Sequence, residues 1–387
     1  MAPKSFIEIG DVSVELTDRL MPRVGLRHVK VLNASQEHVM QIGDVQLTLG
    51  LTALLQGQMQ PVSAEVAGVQ LRVRRFAGGA VGLTIEAGQG DTATAVEDGG
   101  VRLGANEVLE QADALLSQPG LQNLTEVTLG NITLRYEDER AGRVWTADGA
   151  RLSLTRTGDD LRLRGDAALL TGGAYASTIE MNYSRRIGER PSDIGISFED
   201  MPARDIAGQS PALAWLSALE APISGALRAE IDESGALGPL HATLQIGRGA
   251  LQPNSGARPV GFNSARTYFT YRPADQEIEF TEVFVDSDWG RAEASGVAKL
   301  AEMEEGWPSA LGVRFDMTQI VTNPNNLYPE PIALERAELE MDLRLDPLRV
   351  DLRALRLFDR GEVLAIKGEA RAEEAGWQVA LAGGVAQ

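Results

Sequence analysis

The strongest constraint on the fold of this chain is an alternation of apolar and polar residues with a period of two. Val12-Ser13-Val14-Glu15-Leu16 shows it near the start, and Leu339-Glu340-Met341-Asp342-Leu343-Arg344-Leu345 shows it most clearly. Successive side chains of a β-strand point to opposite faces of the sheet, so the pattern predicts strands with one apolar and one wet face. Parallel strands buried on both faces would read as unbroken apolar runs, so a mostly antiparallel sheet is expected.

Short polar turns separate the predicted strands. Asp346-Pro347 and Gly158-Asp159-Asp160 are two of these turns, and Gly130-Asn131-Ile132 is interpreted as the opening of another strand. Connections of this length favour antiparallel neighbours joined in sequence. The alternation predicts about 19 strands and very little helix.

Two short helices are predicted between the strands. Val108–Leu116 places its apolar residues on one helical face and ends before Pro119-Gly120. Ser210-Pro211 is typical of a helix start and opens a second short helix, which ends before Pro222. Residues 86–100 are acidic and Gly-rich without a period, and they are interpreted as a loop.

Composition excludes several classes of protein. The formal net charge of −19 argues against a nucleic-acid partner, because phosphate backbones need a positive surface. The chain has no cysteine and three histidines, which leaves no thiol chemistry and no His-Glu-x-x-His metal site. No run of apolar residues is long enough to cross a bilayer as a helix. The start of the sequence is interpreted as that of an exported protein whose targeting or anchor segment has been left out.

The search for catalytic motifs yields no catalytic residue, no metal ligand and no cofactor. Gly-x-Ser-x-Gly and the phosphate-binding Gly-x4-Gly-Lys motif are absent. Gly88-Gln89-Gly90 resembles a dinucleotide fingerprint, but no helical pattern follows it. Asp286-Ser287-Asp288 begins like a calcium loop, yet the twelfth position holds Val297 where a bidentate Glu is needed.

The alternation alone leaves two architectures open. The strands could form two or more β-sandwiches whose Leu and Val faces pack on each other as cores. They could instead form one long curved sheet whose apolar face lines an open groove that a ligand fills. The low aromatic content, 5%, fits a groove lined by slim aliphatic side chains, and it fits a sandwich core almost as well.

Motifs along nearly the whole chain resemble the AsmA-like superfamily. Ala53–Gly57, Pro61 and Gly68–Arg75 follow its order of small helix, glycine, strand, glycine and strand. The later chain is most similar to the YhdP branch of that superfamily, in the segments Ala221–Gly225, Asp232–Leu237, Leu244–Leu251, Phe262–Ala265, Tyr271–Pro273 and Trp289–Gly296.

This resemblance implies an all-β fold: an elongated, curved, mostly antiparallel sheet that forms a hydrophobic groove, with two short helices. The expected divisions are an N-terminal β-groove segment at 1–86, an acidic loop and amphipathic helix at 87–122, a second β-groove segment at 123–201, a short helix at 202–221 and a C-terminal β-groove segment at 222–387.

The function that the resemblance implies is bridge-like lipid transfer in a Gram-negative cell envelope. Phospholipid acyl chains would lie along the apolar groove and pass between inner and outer membrane, in support of outer-membrane biogenesis. The chain would be a periplasmic fragment, anchored to the inner membrane in the full-length protein. It would reach both membranes through segments outside this sequence, with other envelope proteins as further partners. The expected groove-lining residues are Val12, Val14, Leu47, Leu71, Val73, Ile132, Leu134, Leu339, Met341, Leu343 and Leu345.

Two other functions remain open at this stage. A β-sandwich scaffold for envelope assembly would use the same strands as a platform for proteins and would have closed, dry cores. An enzyme acting on envelope polysaccharide would need two carboxylates about 5–10 Å apart. It would also need aromatic sugar platforms, and the tryptophans at 145, 215, 289, 307 and 377 are scattered. The expected activity is therefore binding and not catalysis.

Overall fold

A computed structural model describes the chain at residues 6–18, 20–32, 38–76, 81–86, 113–114, 116–118, 120–139, 142–170, 176–207, 216–252, 259–304, 307–323, 327–344, 348–373 and 376–386. Contacts between Cα atoms divide it into two compact units, Met1–Ile194 (unit 1) and Gly195–Gln387 (unit 2).

Unit 1 is built from strands whose alternating side chains sort into two faces. The strands are β1 (Phe6–Glu8), β2 (Asp11–Leu16), β3 (Pro22–Leu32), β4 (His38–Leu49), β5 (Pro61–Ala67), β6 (Gln70–Arg75), β7 (Val81–Glu86), β8 (Glu126–Asp138), β9 (Arg143–Thr157), β10 (Asp160–Leu170) and β11 (Ser177–Arg186).

Unit 2 continues in the same way after β12 (Ser192–Pro202), the strand that contains the boundary. Its strands are β13 (Leu219–Glu220), β14 (Pro222–Ile231), β15 (Leu240–Ile246), β16 (Gly249–Leu251), β17 (Val260–Arg272), β18 (Glu277–Ser287), β19 (Gly290–Glu304), β20 (Trp307–Thr322), β21 (Ile332–Leu334), β22 (Arg336–Arg344), β23 (Arg349–Asp359), β24 (Glu362–Glu373) and β25 (Gly376–Ala386).

Most neighbouring strands pair antiparallel through short turns, as the short polar connections predict. Pairing runs β2–β3–β4–β5 and β8–β9–β10–β11 in unit 1. In unit 2 it runs β14–β15–β17–β18–β19–β20–β22–β23–β24–β25. The exception is β8, which pairs in parallel with β5 and then with β6. Parallel neighbours need a long crossover, and the chain between β7 and β8 supplies one.

Extra residues inside strands keep the apolar side chains on one face. In β8, Val127 and Leu129 occupy odd positions, whereas Ile132, Leu134 and Tyr136 occupy even positions. The register with β9 shifts on both sides of Ile132, and Asn131 has a φ of 50°. Such a bulge inserts one unpaired residue, so the alternation resumes on the original face. Gly130-Asn131 therefore lies inside one continuous strand, and the interpretation as a strand opening is wrong.

Two short helices, α1 (Leu51–Leu55) and α2 (Ala203–Ala207), occur in the described part of the chain. The first lies in the segment that the family resemblance marks as a small helix. Of the predicted helix Val108–Leu116, residues Asp113, Ala114 and Leu116 are helical, and the others lie outside the described residues. Of the predicted helix after Ser210, residues 216–218 form a 3₁₀ turn and the earlier ones are likewise not described. Helix α2 lies within the division at 202–221 that was predicted to hold a short helix, but it precedes Ser210, where that helix was expected to begin.

The prediction of an all-β fold is confirmed. The chain is mostly strand, in a curved, unclosed, mostly antiparallel sheet with two short helices. The alternation left open either packed β-sandwiches or one curved sheet, and an unclosed sheet corresponds to the curved sheet.

A glycine in β19 sits where two phenylalanine rings meet. Gly296 pairs with Phe280 on one side and with Phe315 on the other, and the two ring centroids are 5.3 Å apart. A Cβ atom at Gly296 would lie 2.7 Å from Phe315 Cδ1 and 2.1 Å from the Arg314 carbonyl oxygen. The close approach of strand backbone and rings therefore requires glycine at this position.

We expect Gly296→Ala to lower the free energy of unfolding by about 2 kcal/mol, because the added carbon overpacks the ring contact. Urea denaturation followed by circular dichroism measures the change. Gly384→Ala is the matched control, since Gly384 also lies in a strand and a Cβ there meets nothing within 4 Å. Equal effects of the two substitutions would contradict the packing argument.

Candidate functional site

Apolar side chains of unit 1 line up in rows that cross the strands. Residues directly opposite each other in paired strands lie on the same face, so the register defines each row. One row contains Val14, Val24, Leu47, Ala64, Val127, Leu154, Leu163 and Tyr183, and a second contains Val12, Leu26, Val45, Val66, Leu129, Leu152, Gly165 and Met181. Together they form the apolar face of unit 1.

Unit 2 has an apolar face of the same construction, with an aromatic stretch at its centre. Phe269 and Phe280 pair across strands with ring centroids 5.5 Å apart, and Phe315 extends the stretch beyond Gly296. The central row contains Leu227, Ala242, Phe269, Phe280, Gly296, Phe315, Leu339, Leu355, Ile366 and Gly383. Flanking rows include Ile278, Ala298, Val313, Met341 and Leu352 on one side and Val283, Ala294, Met317, Ala337, Leu357 and Leu364 on the other.

The large side chains of these rows are half-buried. Phe269, Phe280, Phe315, Leu339 and Leu355 all keep part of their surface open to solvent. The small residues among them, such as Ala298 and Ala337, are buried because larger neighbours overhang them. Interior packing normally buries central aromatic and leucine side chains almost completely. The described side chains therefore shield one another sideways and leave the tops of the rows accessible.

The opposite face of the sheet is held by arginine–carboxylate pairs across neighbouring strands. Arg336 and Arg356 approach Glu338 at 3.1 and 3.3 Å. Arg266 donates from Nε to Glu282 Oε1 at 2.6 Å, and this hydrogen bond raises the pKa of Arg266. Its guanidinium also lies 4.7 Å from the ring centroid of Phe284 and covers an aromatic side chain on the wet face. The charged side chains therefore keep this face hydrated, and apolar contacts are made by the other face.

A helical turn covers one end of the unit 1 face. Leu116 is buried in a cluster with Leu124 and Leu161, against which Ala64, Val127 and Leu154 of the rows also pack. Arg185 and Asp113 form a bidentate ion pair that ties the turn to β11. Arg156 donates from Nη1 to the Leu116 carbonyl oxygen at 3.1 Å. The described part of the predicted Val108–Leu116 helix therefore packs on the apolar face at the first row.

Helix α2 and the 3₁₀ turn at 216–218 cover part of the unit 2 face in a similar way. Ala203, Ala207 and Leu216 are buried with Leu219, Ala221 and Ile223 of β13 and β14. Partly buried Phe198, Ile206, Ile246 and Phe262 pack against this cluster. The short helical segments therefore contribute buried clusters on the face, whereas the large side chains of the rows are half-buried.

An aromatic pair with a polar rim continues the unit 1 face along β8. Tyr136 and Trp145 are stacked with ring centroids 5.2 Å apart. The neighbouring carboxylate of Asp138 is fully buried and lies 3.2 Å from Arg75 Nη1. Partial burial raises the pKa of Tyr136, whose hydroxyl also interacts with Arg75 and Asp138. This place combines an apolar ring surface with a fixed ion pair.

The structure places five of the eleven predicted groove residues in the rows named above, namely Val12, Val14, Leu47, Leu339 and Met341. Val73, Leu134 and Leu343 pair with Tyr136, Leu71 and Leu311 outside those rows. Leu47, Val73 and Leu134 are half-buried in unit 1, and Leu339, Met341 and Leu343 are half-buried in unit 2. Val12 and Val14 on strand β2 are 62% and 69% exposed.

Three predicted residues stand apart from this group. Ile132 is only 4% exposed, which leaves little of its side chain open to a ligand. Leu71 lies in β6 opposite Leu134, but its side chain is not described. Leu345 lies outside the described residues.

Sequence reasoning missed the aromatic stretch of unit 2. Phe269, Phe280 and Phe315 stand in three different strands, and only the register brings them together. The available signal was the alternation Ile278-Glu279-Phe280, which a bulge before Val283 interrupts.

Comparisons with protein-family models, with curated proteins and with solved structures find no match to the chain. In the part of the chain that the structure describes, no group of three or more His, Asp or Glu is placed to hold a metal ion. The helices described there are too short to cross a membrane. The apolar face of each unit is therefore the feature on which a functional proposal has to rest.

We expect Arg185→Met to lower the free energy of unfolding of unit 1 by about 3 kcal/mol, because it leaves the Asp113 carboxylate without its ion-pair partner in a half-buried place. Chemical denaturation measures the change. Arg186→Met is the control, since Arg186 is the adjacent residue but is 58% exposed and its ion pairs lie at the surface. If the control costs as much as Arg185→Met, the ion pair does not anchor the helical turn.

Proposed function

We propose that the apolar faces bind phospholipid acyl chains and conduct them between the inner and outer membranes of a Gram-negative envelope. The observation that carries the proposal is the set of apolar rows, kept in register from strand to strand and left half-exposed on an unclosed sheet. The family resemblance supplies the cellular setting, with the chain in the periplasm. Phospholipid is accordingly the proposed partner.

The energetics favour lateral movement along such a face. Each CH₂ group taken out of water contributes about 0.8 kcal/mol, so a 16-carbon chain leaving the face for water would lose roughly 12 kcal/mol. A chain that slides from one row to the next exchanges one apolar contact for another. Because the rows continue across the strands of each unit, the path within a unit contains no polar step of that size.

The two faces of the sheet also fit an amphipathic ligand. Acyl chains would lie against the half-buried Leu, Val and Phe side chains, while head groups remain at the strand ends in contact with water. The charged opposite face, with its Arg–Glu and Arg–Asp pairs, stays hydrated and keeps that side of the sheet out of apolar contacts. This difference in polarity between the two faces supports a ligand that has both an apolar and a hydrated part.

A scaffold that binds proteins in envelope assembly is the second candidate. Strand β25 favours it, because Val379, Leu381 and Val385 are exposed and segment 376–386 carries no charge. An uncharged strand of this kind can accept a strand from another chain. Half-buried aromatic side chains at the centre of the face are less typical of such a scaffold, which would have dry cores.

Native mass spectrometry of the purified chain, together with lipid extraction, tests the proposal. Co-purified phospholipid, or saturable binding of a fluorescent phospholipid, is the expected result. A mass without bound lipid, combined with no binding of the fluorescent lipid, would overturn the proposal. Binding of a defined protein partner that depends on strand β25, without lipid binding, would favour the scaffold.

Single substitutions distinguish an open face from a closed core. We expect Leu134→Asp and Leu343→Asp to leave the chain folded and to reduce phospholipid binding at least about tenfold, because a carboxylate at a half-exposed site meets water in the free protein and acyl chain in the complex. Circular dichroism and the fluorescent-lipid titration give the two readings.

Thr155→Asp is the matched control for these substitutions. Thr155 is exposed on the opposite face of unit 1, between Arg162 on one neighbouring strand and Glu126 on the other, so a carboxylate there remains in water. It should change neither folding nor lipid binding. Global unfolding of both Leu variants would show that the rows form a sealed core.

A further inference from the structure

Unit 1 carries a cluster of exposed apolar side chains on two connections between strands. The β2–β3 turn contributes Leu16 and Leu20, and the β4–β5 connection contributes Leu51, Leu54, Leu55 and Met59. We call these six residues the apolar tip. Leu55 and Met59 are 89% and 78% exposed, far more than apolar residues of a folded surface usually are when they occur together.

The sheet register brings the two connections to the same end of the strands. Leu16 pairs with Pro22 at the start of β3, and Arg23 of β3 pairs with Thr48 near the end of β4. Backbone hydrogen bonds close each connection, from Thr17 N to the Met21 carbonyl and from Gly50 N to the Gln60 carbonyl. The apolar tip thus projects from one end of neighbouring strands.

Helix α1 exposes its large apolar side chains, whereas a helix that packs on its own protein buries them. It buries Ala53, the smallest apolar residue it has, and exposes Leu51, Leu54 and Leu55. An amphipathic helix of a soluble domain buries its large side chains and exposes its polar ones. The backbone fixes this orientation, because Gln56 and Gln58 both donate their N–H groups to the Ala53 carbonyl.

The charge pattern identifies the kind of surface that would cover the tip. Residues 50–60 contain no charged side chain, and their polar residues are Thr52 and three glutamines. The β2–β3 turn carries one acidic and one basic residue, Asp18 and Arg19, so the tip as a whole has no net charge. Protein interfaces of this size are normally rimmed by charged or hydrogen-bonding groups that select a partner. A mobile hydrocarbon boundary needs only flexible aliphatic side chains and neutral groups that hydrogen-bond to lipid head groups.

We propose that the apolar tip docks on the surface of a phospholipid bilayer and inserts Leu55 and Met59 into the boundary between head groups and acyl chains. The contact is hydrophobic and not electrostatic, since the chain has a net charge of −19 and anionic lipid repels it. This inference goes beyond the transport of acyl chains and rests on different residues, so either can fail without the other.

Flotation of the purified chain with phosphatidylcholine vesicles tests the docking. The double variant L55Q/M59Q should bind these vesicles about tenfold or more weakly, because two inserted aliphatic side chains become polar. The control is V144Q/L170Q, which changes two apolar residues of unit 1 that are also exposed but lie at the opposite end of the strands. Equal vesicle binding by the two double variants, or no vesicle binding by the unchanged chain, would overturn the proposal.

Lipid composition supplies a second, independent reading. Replacing about a third of the phosphatidylcholine by anionic phosphatidylglycerol should weaken binding at low salt, and added salt should restore it. Binding that requires the anionic lipid would overturn a neutral, hydrophobic contact. Titration of the L55Q/M59Q variant with monomeric fluorescent phospholipid should remain unchanged, which separates failure of the docking from failure of the proposed transport.

Because the chain has no cysteine, one introduced thiol reports the depth of the tip. An environment-sensitive dye on Leu55→Cys should shift to shorter emission wavelengths with phosphatidylcholine vesicles, whereas the same dye on Leu170→Cys should not. Absence of the shift at Leu55→Cys would contradict insertion, and a shift caused by protein concentration alone would identify a second copy of the chain as the occupant.

Discussion

Cross-strand register is the constraint on which this structure depends. The apolar rows exist only because each strand keeps its alternation in phase with both neighbours, and a slip of one residue would send a whole strand's apolar set to the wet face. Bulges with positive φ at Asn131 and Gly149 correct the phase inside long strands. Arg–carboxylate pairs on the other face reinforce the same register where they join residues of adjacent strands, as Arg356–Glu338 and Arg266–Glu282 do.

Burial in each unit divides into two kinds of contact. Short helical segments pack on the sheet at Leu116 and at Ala203–Ala207 and form small, fully buried clusters. The rows themselves stay half-buried, so lateral contacts between neighbouring strands stabilise most of the sheet. Stabilisation of this kind leaves the broad apolar surface available for binding. A ligand that covers this surface in the folded state raises the free energy of unfolding.

The fold class follows from local sequence, and the details of the candidate site do not. Period-two alternation predicted the strands, the antiparallel pairing and some of the row residues, including Leu47 and Leu339. It misread Gly130-Asn131 because one extra residue inside a strand looks the same as a strand start. The aromatic contact of Phe315 was not predicted, because its neighbours in space come from other strands. The exposure of Leu55 was not predicted either, because helix periodicity does not show which side of a helix packs on the sheet.

The one parallel contact of β8 has a consequence for how the two units fold. Its partners in β5 and β6 lie 63 residues earlier in the chain, whereas most other strands pair with a neighbour across a short turn. Closing a loop of that length costs about 2 kcal/mol more entropy than closing a hairpin. Unit 2 can assemble strand by strand from local hairpins, but unit 1 has to wait for a long-range encounter before β8 has a neighbour on each side. The larger sequence separation of these contacts favours slower folding of unit 1 than of unit 2.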